Sequence, residues 1–205
     1  MTHEDITAAV AQLRKTCGLF VEPPLRGPAP LNRFFEAANL NHTALAPLNC
    51  ETVAKYLVAE RYISSLEALG DFPEGKEPLD GFLFWSGSDG LAFVKADDIL
   101  PRRRFTAAHE LGHAILHRES MGQYLADASI AEGADASDDP KEREANRFAV
   151  ELLMPEEVLQ ARAEEFQMEH GCCPRSVLAY RLAAELLVSQ QAITYRLRNL
   201  EIGDE

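Results

Sequence analysis

The chain has 205 residues, 46% of them hydrophobic and 26% charged, and its 33 acidic side chains outnumber 20 basic ones for a formal net charge of -13. Such proportions suit a globular chain that buries its own core, which excludes disorder as the main state. The acidity disfavours non-specific binding to phosphate backbones or anionic lipid. No stretch approaches 18 consecutive apolar residues, and MTHEDITAAV is no secretory signal, so the chain reads as cytoplasmic with no membrane partner.

Ile6, Val10, Leu13 and Cys17 recur at helical spacing up to Gly18, and VEPPLRGPAP then reads as a stiff connector. A short amphipathic piece, LNRFFEAANL, follows, and Asn49 caps a helix over ETVAKYLVAERY. From Leu79 the period becomes strand-like: Phe82–Trp85 and Leu91–Val94 flank SGSDG, a hairpin with Asp89-Gly90 at its turn. Arg102, Arg103 and Arg104 lead into a helix over FTAAHELGHAILH. Residues 118–139, with Asp127, Glu132, Asp135, Asp138 and Asp139, read as a mobile loop long enough to be functional, a gate over a cleft. Asp139 caps and Pro140 opens the next helix, EREANRFAVELL, which stops at Met154-Pro155. A helix to Gly171 follows, and the tail gives two more around a break at Val188-Ser189. The four cysteines, Cys17, Cys50, Cys172 and Cys173, form no C-x-x-C pair and read as reduced thiols.

His109-Glu110-Leu111-Gly112-His113 carries chemistry. Residues i and i+4 of a helix share a face about 6 Å apart, so His109 and His113 can converge on one tetrahedral ion, and Glu110 beside them can take a proton from water. The flanks, Phe105, Ala107, Ala108 and Ala114 to Leu116, are apolar, so these polar groups are buried and need partners. A catalytic zinc takes a third protein ligand and leaves its fourth position to water. His117 lies about 12 Å along the axis from His109, out of reach. Glu142, in the first turn of the next helix, is the better third ligand, with Asn146 one turn on to orient a histidine; Glu144, about 200° round the helix, is its rival.

FTAAHELGHAILH, EREANRFAVELLMP and VSQQAITYRLRNL, in that order, resemble the ImmA/IrrE family of zinc metallopeptidases over roughly residues 49–200, with 1–46 outside the resemblance. The resemblance implies a gluzincin-like site: zinc on His109, His113 and Glu142, and Glu110 as general base. It also implies proteolysis of an intracellular helix-turn-helix repressor, one encoded nearby, with derepression of stress-response or mobile-element genes.

The resulting expectation is an α+β fold. Residues 1–170 form a zinc metallopeptidase domain with a small antiparallel sheet and the HExxH helix, and 171–205 a helix-turn-helix-like module. An extended substrate would pair with Leu91–Lys95 by strand addition. Tyr195, with Tyr180 and Tyr124 as rivals, is a candidate for polarising the scissile carbonyl. Residues 171–200 hold four arginines, Arg175, Arg181, Arg196 and Arg198, against Glu185 alone, a local charge of +3. DNA binding without proteolysis is therefore an alternative, disfavoured by the overall -13, and partner binding without cleavage is another.

Overall fold

A computed structural model describes residues 1–19, 26–65, 67, 72–73, 75–130, 132–133 and 137–204. The connector expected over 21–30 lies partly outside them, as do positions 131 and 134–136 of the expected loop.

The chain runs α1 (His3–Thr16), α2 (Leu31–Ala37), β1 (Leu40–Leu45), α3 (Cys50–Ala59), β2 (Gly81–Ser86), β3 (Asp89–Lys95), α4 (Leu100–Leu116), β4 (Tyr124–Asp127), α5 (Pro140–Leu153), α6 (Glu156–His170), α7 (Arg175–Leu186) and α8 (Gln190–Asn199). The capping chemistry is as the sequence suggests. Asn49 accepts from Thr52 N at the head of α3, Asp139 from Lys141 N at α5, and Ser189 from Ala192 N at α8. Gly171 ends α6 with φ +76.

The sheet has four strands in the order β1-β3-β2-β4. It is mixed rather than antiparallel: β2 pairs antiparallel with β3 and β4, but β1 lies parallel to β3. Ser86 faces Asp89 across the hairpin, so the turn is Gly87-Ser88, with Gly87 at φ +65, and Asp89-Gly90 already belongs to β3. Gly90 has a different role. A Cβ there would lie 2.2 Å from Leu40 Cδ2, so its bare backbone admits the packing of β1. The segment expected as loop contains a 3-10 turn (Arg118–Ser120) and β4. The three arginines expected ahead of the HExxH helix lie within it, because Pro101 sits in its first turn.

Both faces of the sheet are covered, which is why β2 and β3 read as nearly unbroken apolar runs. Phe82, Phe84, Leu91 and Phe93 pack with Val53, Ala54 and Leu57 of α3. Leu83, Trp85, Ala92 and Val94 face the larger core, shared with α4, α5 and the tail helices. Ile6, Val10 and Leu13 of α1 enter that same core, and Arg14 donates to Leu152 O at the end of α5 (2.8 Å). Residues 1–46, outside the expected resemblance, thus supply an edge strand and two core helices.

Candidate metal centre

The site forms where α4, α5 and the β2–β4 edge meet. Gly112 sets the first distance. A Cβ there would stand 3.1 Å from Phe148 Cβ and 3.2 Å from Ala145 Cα, so the glycine lets α5 cross close against α4. That crossing brings the first turn of α5, with Glu142, over the histidine face of α4.

Glu142 Oε2 is 3.2 Å from His109 Nε2, Glu142 Oε1 is 3.2 Å from His113 Nε2, and the two Nε2 atoms are 3.0 Å apart. His109 Nδ1 donates to Asn146 Oδ1 at 2.9 Å, which turns the Nε2 lone pair inward. His109 and His113 are buried. Burial alone would push the Glu142 carboxyl up, but hydrogen bonds and charge from the two imidazoles carry it well below the ordinary carboxylate range.

Glu144, the rival ligand, stands outside this group; its Oε2 is 3.6 Å from His117 Nε2, which also meets Lys141 O at 3.2 Å. His117 is therefore a packing residue behind the site, as its axial distance predicts.

Glu110 is fully buried against β2, where a Cβ on Gly81 would come within 1.7 Å of its Oε1. Sequence reasoning missed Asp127. Gly81 pairs with Asp127 across β2 and β4, so the two share the α4 face of the sheet. One donor atom from each of His109, His113, Asp127 and Glu142 lies within 4.8 Å of the others. Burial raises the Glu110 carboxyl well above its ordinary range, and the charge of the adjacent Asp127 adds to this. Burial likewise raises Asp127, against the lowering influence of His113.

The donor set fits a small divalent cation. Tetrahedral bonds of 2.0–2.1 Å place ligand atoms about 3.3 Å apart, close to the spacing of the His and Glu donors here. Among the described residues, Asp127 Oδ2 and both oxygens of Glu110 are buried with no basic side chain or backbone N–H donating to them, and several carboxylates packed around two imidazoles want a positive charge.

The proposed oxyanion tyrosines fare differently. Tyr124 lies on the opposite face of β4 from Asp127, stacked on Phe82, so it cannot serve the site. Tyr180 and Tyr195 are exposed on α7 and α8. Strand addition to Leu91–Lys95 is likewise excluded, because β3 lies between β1 and β2.

Residues 72–198, more than half of the chain, match the family described as IrrE N-terminal-like domain, Peptidase_M78. A relative from Bacillus phage phi105, named uncharacterized immunity region protein 2, is 40% identical over 68 residues, which span 33% of this chain and 40% of that protein.

Proposed function

The chain belongs to the Peptidase_M78 family of IrrE N-terminal-like domains, and on that premise we propose that it is a zinc-dependent endopeptidase of gluzincin type. Its substrate is an intracellular helix-turn-helix repressor or antitoxin-like partner, encoded nearby, whose cleavage derepresses stress-response or mobile-element genes. The phage relative, named for an immunity region, supports a regulatory target of this kind. The observation that carries the reading is the convergence of His109, His113 and Glu142 with Glu110 alongside.

His109, His113 and Glu142 would hold the metal, with Asn146 fixing the His109 ring. When bound, the ion supplies Lewis acidity to the peptide carbonyl and acidity to water. Glu110 accepts the proton of the attacking water and delivers it to the departing amine. Its enclosed position favours this role, since a carboxylate poor in solvation takes a proton readily. The substrate strand would run along β4, whose outer edge meets no other strand among the described residues, rather than along β3. That geometry selects an extended or locally unfolded cleavage loop. No helix among the described residues is long and apolar enough to cross a membrane.

DNA binding by the C-terminal module is the weaker reading. Arg196 Nη2 contacts Glu151 Oε2 at 2.7 Å and Arg175 donates to Ile202 O and Gly203 O, so half of the local arginines are occupied inside the protein.

The test combines metal analysis with cleavage of the repressor encoded beside this chain. Glu110→Gln should keep one metal per chain and lose cleavage, Glu142→Ala should lose most of its metal, and Glu144→Ala should keep it. Near wild-type cleavage by Glu110→Gln would remove the mechanism. Equal metal retention in both α5 variants would remove the ligand assignment. Co-purification of the loaded protein with an uncut partner would replace the peptidase by a binding module.

A further inference from the structure

We propose that Asp127 is a fourth protein ligand, so that the resting metal centre is closed and becomes hydrolytic only when β4 moves Asp127 away. The inference rests on the metal-centre reading above and adds a mode of control to it.

Three observations converge on Asp127. It is 8% exposed, and among the described residues no basic side chain or backbone N–H donates to its Oδ2, so only the neighbouring carboxyl of Glu110 and the two imidazoles accompany a buried carboxylate there. That Oδ2 is 4.0 Å from His109 Nε2, and Asp127 completes a group of four donors with His113 and Glu142. Its carboxyl also lies against that of Glu110, where a general base would meet the water it activates.

A tetrahedral ion has four positions, and hydrolysis needs one of them free of protein. Two imidazoles and the two carboxylates of Glu142 and Asp127 would fill all four and balance the charge of a dication, once Asp127 Oδ2 closes from 4.0 Å of His109 Nε2 to the roughly 3.3 Å that tetrahedral ligands keep from one another. The closed state is therefore both coordinatively and electrostatically complete, and Glu110 has no water to act on.

The residue that closes the site sits on the strand most able to open it. β4 is a four-residue strand at the sheet edge, paired among the described residues with β2 alone. The segment beyond it is latched. Asp80 N donates to Asp127 O (2.8 Å), Ile130 N donates to Asp80 Oδ2 (2.9 Å), and Arg102 bridges Asp80 to Ile130 O and Glu132. Glu132 in turn accepts from Ser189 Oγ, the cap of α8. A peptide strand docking on the free edge of β4 pulls on the same short strand that carries Asp127, so substrate engagement and opening of the coordination position are one motion.

The experiment compares wild type with Asp127→Asn, a near-isosteric and poorer ligand, and with Asp127→Ala, each checked for fold by circular dichroism. Each protein is loaded with Co(II). Visible absorption then reports the coordination environment, azide titration reports an open position, and chelator competition gives metal affinity. The expected result is a wild-type spectrum indifferent to azide and variants that respond to it, with metal affinity lower by at least about tenfold. An azide response and an affinity equal in all three proteins would overturn the role of Asp127 while leaving the three-ligand site intact. Failure of wild type to bind Co(II) would overturn the metal centre and the inference with it.

Discussion

A methyl group added at Gly81 would come 1.7 Å from Glu110 Oε1 and 2.7 Å from its carboxyl carbon, and Glu110, being fully buried, has no solvent to swing into. Gly81→Ala should therefore displace the general base while leaving His109, His113 and Glu142, which lie on α4 and α5, in place. The expected outcome is a stability loss of about 1–3 kcal/mol from overpacking. Metal content should be retained, while cleavage falls by roughly a hundredfold or more, the range of a lost acid–base group. Metal analysis beside a cleavage assay checks this, and normal cleavage would show that Glu110 is not the base. At this scale the legible residues are those bound by short-range rules. His109 and His113 follow from helical spacing, and Glu142 and Asn146 from their place behind the Asp139 cap. Asp127 follows no such rule. It is one of five acidic residues singled out over 118–139, and only the pairing of β4 with β2 sets it opposite Gly81.

The pairing of α4 with α5 is the element on which the site turns. A glycine inside a helix costs up to about 1 kcal/mol relative to alanine, so Gly112 stands against local propensity. Its compensation is the approach of Ala145, whose Cα and O would both lie 3.2 Å from an added Cβ. Gly112→Ala improves the helix but forces the start of α5 away by a few tenths of an ångström, carrying Glu142 with it. The expected result is a folded protein of near-normal stability whose metal affinity is reduced by roughly tenfold, the scale of a disturbed supporting contact. Chelator competition measures it, and an unchanged affinity would mean that the crossing does not set the Glu142 position. The elements missed in the sequence are the two edge strands. β1, LNHTAL, is half exposed and mixes polar with apolar residues, and β4 has four residues, too few for alternation to register. Central strands announce themselves through burial on both faces, whereas edge strands are defined by a neighbour remote in sequence.

Across the whole molecule, the tail helices act as part of the fold. Ile193 and Leu197 of α8 join the large core, while Arg196 is buried, contacting Glu151 Oε2 at 2.7 Å and Met154 O at 3.3 Å around the end of α5. The sequence shows the local charge of +3 but not which guanidinium groups turn inward, since that depends on where α8 meets α5. Arg198 is exposed and lines a cavity of about 600 Å³ with Arg175, Ser176, Thr194 and Glu201. The two arginines therefore separate stability from recognition. Arg196→Ala leaves the buried Glu151 with only His3, at 3.8 Å, in place of its guanidinium partner and should cost roughly 3 kcal/mol, a fall in Tm of about 6–12 °C for a chain of this size. Arg198→Ala should leave Tm unchanged within about 2 °C, because an exposed surface side chain contributes little. If the module recognises a protein partner, Arg198→Ala also weakens its cleavage. If it reads DNA, the same variant instead loses an operator complex and leaves cleavage alone. With a net charge of -13 and two of four local arginines engaged internally, too few cations face outward to overcome long-range repulsion, so no mobility shift is expected even at low salt. A salt-dependent, sequence-specific shift by the wild type, abolished in Arg198→Ala, would reverse that assignment.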